Sequence, residues 1–164
     1  MAAGKVFAFL GGILTLVGTY IFALYGDIGA VGSGIGFILN LDEIFENADA
    51  FATLMDIPIA LFYVYLVIFL IFLASGILQM LSIRSKAVGF IFALFPLGVG
   101  IMFILLVYTD ILGITSAFFA IFFGGEQFGD IFPILVPLGD IALGVYLILA
   151  GGVLGVLSVF MEHD

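Results

Sequence analysis

Residues 57–86 read IPIALFYVYLVIFLIFLASGILQMLSIRSK, an apolar run from Ile57 to Leu81 followed by a short basic connection. The run holds no Asp, Glu, Lys, Arg or His. As a helix rising about 1.5 Å per residue it is long enough to cross a hydrocarbon core of about 30 Å. Past the connection a second apolar run, Ala87–Tyr108, begins at once, so the two predict a hairpin of membrane spans. Working outward, Val6–Leu24 and Pro137–Met161 are two further runs of spanning length, and the only acid within any of the four is Asp140.

Composition supports the same class. The chain of 164 residues is 65% hydrophobic and 9% charged, with mean hydropathy +1.46. A soluble domain of this size cannot hide that much apolar side chain. The expected fold is therefore an all-α integral membrane protein: one domain over residues 1–164, four transmembrane helices in a bundle, and outward segments at 25–56 and 109–136. With no cysteine there are no disulfides, thiolate metal sites or cysteine nucleophiles. A net charge of −9 with three basic residues excludes a nucleic-acid partner.

Those basic residues set the expected orientation. Lys5, Arg84 and Lys86 fall on one side if the spans alternate, and the positive-inside rule makes that side cytoplasmic. Both termini then lie inside, with most acids outside, as in a multi-pass cell-membrane protein. Tyr20, Tyr25, Tyr63, Tyr65, Tyr108 and Tyr146 all fall in or just beyond the outer half of a span, where phenols reach headgroups. The first span reads as a retained signal-anchor, because Ala23-Leu24-Tyr25 is a poor cleavage site.

In lipid, helices associate through small residues that let backbones approach. Gly4, Ala8, Gly11, Thr15 and Gly18 form such a stripe in the first span, and Gly144, Gly151, Gly155 and Ser158 form one in the fourth. These stripes pair either with each other or with another subunit, so Gly11, Gly18, Gly144, Gly151 and Gly155 are the packing or assembly candidates. Pro96, in the middle of the third span, removes one helical hydrogen bond and predicts a kink.

The outward segments carry the remaining signals. Gly26–Gly36 (GDIGAVGSGIG) reads as a flexible turn, without the glycine order of a phosphate cradle. Asn40 with Glu43 reads as a capping box opening an amphipathic helix to about Leu54, with Asp42, Glu43, Glu46 and Asp49 on its solvated faces. Ile111–Phe123 is apolar but too short to span, so a second short helix, interfacial or re-entrant, is expected there. Phe118, Phe119, Phe122 and Phe123, with Phe45 and Phe51 from the amphipathic helix, are the expected outward contact surface.

No catalytic constellation or cofactor motif accompanies these features: His163 is the single histidine. Asp140, Asp42, Glu43 and Glu46 are the ion-related candidates, with Asp140 expected in the first turn of the fourth helix, where the helix dipole favours a carboxylate. Four spans with inside termini and a longer first outward loop resemble claudin-like and tetraspanin-like proteins in topology alone, since the cysteine pairs and tryptophan motifs of those families are missing. The function expected is non-enzymatic association in the bilayer with other membrane chains, as a homo-oligomer or lattice or as an accessory subunit. A cation pore with an acidic outward vestibule is the alternative.

Overall fold

The computed structural model describes residues 2–81 and 85–162, of which Arg84, His163 and Asp164 are not part. The chain is mostly helical, at 70%. Helix α1 (Ala3–Leu16) continues as a wider turn over Val17–Ile21, where Phe22 N–H bonds Val17 O. Strands β1 (Tyr25–Asp27) and β2 (Ala30–Gly32) follow, then α2 (Gly34–Glu46), α3 (Ala48–Leu54), α4 (Ile59–Leu81) and α5 (Lys86–Tyr108). After α6 (Gly113–Ile121) come β3 (Gly124–Glu126), β4 (Pro137–Leu138), β5 (Ile141–Ala142) and α7 (Leu143–Val159).

Three helices are long and apolar enough to cross a membrane: Ala3–Ile21, Ile59–Leu81 and Lys86–Tyr108. They also expose apolar side chains such as Val64, Val67, Ile77, Ile91 and Ile101, as a lipid-facing surface requires. These features define a membrane protein of the helical class. α7 is apolar but has 17 residues, because residues 137–142 of the expected fourth span form the β4–β5 hairpin instead.

α7 packs between α1 and α5, and α4 closes the bundle by packing on both. Gly4 N–H donates to Glu162 O at 2.9 Å, and Lys86 Nζ donates to Met161 O at 2.9 Å. Ala2–Lys5, the start of α5 and Met161–Glu162 therefore share one end of the bundle. The opposite end is covered by residues 22–58 and 109–142, a cap built on a three-stranded antiparallel sheet ordered β1-β2-β3.

The cap departs from an all-α fold. The glycine-rich Gly26–Gly36 segment is a β-hairpin running into a helix cap, with Tyr25 opposite Gly32 and Asp27 opposite Ala30. Gly124–Glu126 then pairs with the free side of β2, placing Ala30 opposite Glu126. Such short strands carry too few residues for an alternating pattern to show.

Candidate functional site

The two glycine stripes meet each other. A Cβ on Gly11 would lie 2.8 Å from Gly151 O and 3.0 Å from Gly155 N; one on Gly18 would lie 2.8 Å from Gly144 O. Gly11 and Gly18 are separated by one heptad, as are Gly144 and Gly151, so the antiparallel helices meet backbone to backbone at both levels. Gly155 also faces Ala93 of α5, and Gly152 faces Leu97 N, so the same helix closes on α5. These five candidates form an intramolecular seam rather than an outward face.

Beside the seam lies a buried polar cluster. Thr15 Oγ1 donates to Gln79 Oε1 at 3.2 Å, Ser158 Oγ to Gly155 O at 2.6 Å and Ser75 Oγ to Phe72 O at 2.6 Å. Gln79, only 1% exposed, also donates from Nε2 to Phe92 O at 3.4 Å. Phe92 O is the carbonyl that residue 96 would bond in an unbroken helix, and Pro96 has no N–H to offer. An amide from α4 thus serves a carbonyl that proline orphans in α5.

The apolar run at 111–123 folds inward. One side of α6, with Ile114 and Ile121, is exposed, while Phe119 of the same helix and Phe122 and Phe123 after it are buried in the protein's own core. Phe123 sits 4.8 Å from Phe37 of α2, 5.5 Å from Phe69 of α4 and 5.4 Å from Phe103 of α5, ring centre to ring centre. Phe119 stacks on Phe62, Phe122 meets Phe62 edge to face, and Phe51 of α3 meets Phe122 at 4.9 Å. The contact surface expected from these rings is thereby corrected: they plug the bundle's cap end, Phe118 and Phe51 are partly buried against that core, and Phe45 alone of the set stays exposed, beside Tyr63.

Asn40 explains how the plug is held. It does not cap a helix; α2 starts earlier, with Ser33 Oγ accepting from Gly36 N–H at 3.1 Å, and breaks at Asn47 before α3. Asn40 lies within α2, and its Nδ2 donates to Phe122 O and Gly124 O, both at 2.8 Å. Gly36 is needed at this approach, since a Cβ there would fall 2.2 Å from Phe123 O. Asp42, Glu43, Glu46 and Asp49 are exposed on the outer side of α2 and α3. Among the described residues no three His, Cys, Asp or Glu are grouped as metal ligands would be.

Asp140 is also relocated. It occupies the turn between β4 and β5, ahead of α7, so no helix dipole acts on it from a first turn. With Asp27 it lines a cavity of about 450 Å³ beneath the hairpin, walled by Tyr25, Phe103 and Leu106. Tyr25 donates its hydroxyl to Ala120 O, and burial pushes its pKa up to about 12.

What the cap leaves outside was not visible as a pattern. Ile28 (84% exposed), Ile111 (76%) and Ile131 (71%) are its most open large apolar residues, joined by Ile114, Ile121 and Phe128. Ile28 and Phe128 flank one contact: Gln127 N–H donates to Gly29 O at 3.0 Å, and Gly29 N–H to Gln127 Oε1 at 2.8 Å.

No family model matches the chain, and no curated protein or solved structure shows significant similarity to it.

Proposed function

We propose that the chain is a non-enzymatic tetraspan scaffold of the cell membrane that works by association, with its cap as the contact surface. The fourth crossing is α7 extended by the apolar segments flanking it, and the end bearing Lys5 and Lys86 is cytoplasmic, which puts the acidic cap outside. The observation that carries this reading is the set of exposed apolar side chains on the cap: Ile28, Ile111, Phe128 and Ile131 lie beyond the ends of the long helices. The partner surface therefore moves from the phenylalanines to these residues. The glycine seam is consumed within the chain, so association through it would require opening the bundle.

Cation conduction, the other expectation from sequence, draws support from Asp27 and Asp140 at one cavity. It is the weaker reading, because α1 and α7 meet through backbone and the polar side chains between the helices are bonded to protein. The absence of native cysteine gives a direct test of association. Single cysteines at Ile111, Phe128 or Ile131, treated in native membranes with a bifunctional maleimide, should yield a discrete adduct: a dimer for self-assembly, another fixed mass for a hetero-complex. Cysteines at Val64 and Ile91 on the bundle should give none. Absence of a discrete adduct from every cap position would refute the reading.

A further inference from the structure

We propose that the groove between α4 and α5 holds one acyl chain of a bilayer phospholipid. The groove has a volume of about 520 Å³, within the range of small-molecule sites, and lies between two helices long and apolar enough to cross a membrane. Buried Phe69 and Val99 form its floor, and Ile68, Ile91 and Leu94, all exposed, form its rim. Gly98 makes the space: it lies near the middle of α5, and a Cβ there would find nothing within 4 Å. From Ile91 to Met102 the groove follows about 16 Å of α5 at about 1.5 Å per residue, roughly half of a hydrocarbon core of about 30 Å.

Depth and lining together decide the occupant. No charged side chain lines the groove, so neither an ion nor a polar solute has a partner there. A helix of a second copy needs small residues in order to approach a backbone in lipid. Ala93 and Gly100 of α5 are turned instead toward Gly155 and Leu149 of α7, and Gly98 stands alone among bulky rim side chains. A single alkyl chain is narrow enough to pass that rim. On the outside of a lone helix such a chain is touched from one side; here α4 and α5 touch it together, and the added dispersion contacts separate a held lipid from a passing one.

The polar end of the ligand is marked as well. Tyr65 lies one and a half turns or so from the cap end of α4, level with Met102 at the same remove from the cap end of α5. Its ring is set against that of Phe119 at 5.1 Å, and it is the only lining side chain able to donate a hydrogen bond. The hydroxyls of Tyr20 and Tyr25 are bonded to backbone carbonyls, whereas none of the described residues accepts from that of Tyr65. The ester carbonyl of a phospholipid, where the acyl chain begins, supplies that acceptor.

In the test, the purified full chain is delipidated in mild detergent and titrated with palmitoyl-oleoyl phosphatidylcholine, and bound lipids are counted by native mass spectrometry. One lipid should bind at least about tenfold more tightly than any further one. Gly98→Leu puts a side chain into the groove and should weaken that first site by roughly tenfold or more. Ala74→Leu, a similar addition on the exposed face of α4 outside the groove, should change it by less than about twofold. Tyr65→Phe keeps the ring and should weaken the site about fivefold, the scale of one hydrogen bond; unchanged binding would overturn the placing of the ester there. Dihexanoyl phosphatidylcholine, the same headgroup on short chains, should bind more weakly and without dependence on Gly98. Melting curves confirm that the variants are folded. No distinct first site, equal effects of Gly98→Leu and Ala74→Leu, or a Gly98-dependent dimer in place of the lipid overturns the proposal.

Discussion

Replacing Gln79 by leucine should destabilise the bundle through a carbonyl thirteen residues away, and the size of that effect should depend on Pro96. Gln79 Nε2 donates to Phe92 O at 3.4 Å, and the N–H that would otherwise serve that oxygen is missing because residue 96 is proline. A buried acceptor left without a donor costs about 1–3 kcal/mol, while hydrogen bonds between membrane helices average about 0.6 kcal/mol and reach about 1.7. The bond is long, so about 1 kcal/mol is expected for this contact. Gln79→Leu also removes the acceptor of Thr15 Oγ1, which adds to the total loss but is independent of Pro96. In a Pro96→Ala background the alanine N–H can bond Phe92 O, so Gln79→Leu should cost about 1 kcal/mol less there than in wild type. The assay is reversible unfolding of the four proteins in mixed micelles, followed by circular dichroism because the chain has no tryptophan. A coupling energy within about 0.3 kcal/mol of zero, the scatter of independent sites, would refute the link between Gln79 and the proline.

Three further outcomes follow from the same geometry. Gly151→Leu should lower stability by about 1–3 kcal/mol or more, because its Cβ would lie 2.7 Å from Gly11 O and backbone cannot yield; Gly98→Leu, with nothing within 4 Å, should stay within about 0.5 kcal/mol of wild type in the same melting assay. Tyr25 should contribute a pH-dependent stability: its folded pKa, near 12, lies above the ordinary 10.0, so the contribution is complete below pH 10 and is lost as pH rises from about 10 to about 12. The difference in melting temperature between wild type and Tyr25→Phe should therefore change over that interval, and a constant difference would count against the buried phenol. Single cysteines at Ala3 and at Ile131 should react with an impermeant maleimide from opposite sides of intact cells or vesicles, the cap cysteine alone from outside; labelling of both from one side would remove the four-span topology.

The helical, membrane-borne character of the fold was legible because it rests on length and composition, which Ile59–Leu81 and Lys86–Tyr108 display without interruption. The seam was legible in part for a related reason: glycines spaced by four and three in two apolar runs name surfaces that can meet, though not which partner each meets. The cap was misread where local chemistry has two uses. Asn40 followed by Glu43 fits a helix start, yet Asn40 bonds the carbonyls of residues 122 and 124, a contact across the sequence that spacing cannot show. A glycine-rich stretch suits a loose turn equally well as a tight hairpin, and β3, the strand that completes the sheet, lies far along the chain. The four phenylalanines at 118–123 signalled burial correctly but not against what; the core they fill is made by α2, α4 and α5. Asp140 moved because Pro137 opens a strand rather than a helix.

The central claim is that the bundle is self-contained and the cap carries the contacts. The native mass of the particle extracted in mild detergent tests it directly, measured for wild type and for the combined Ile111→Ser, Phe128→Ser and Ile131→Ser variant. Wild type should exceed the 17.5 kDa of one chain by whole copies or by a constant partner, and the cap variant should fall to the monomer while keeping its helical signal. A wild-type particle of one chain, or a cap variant that keeps the full assembled mass, would contradict the account.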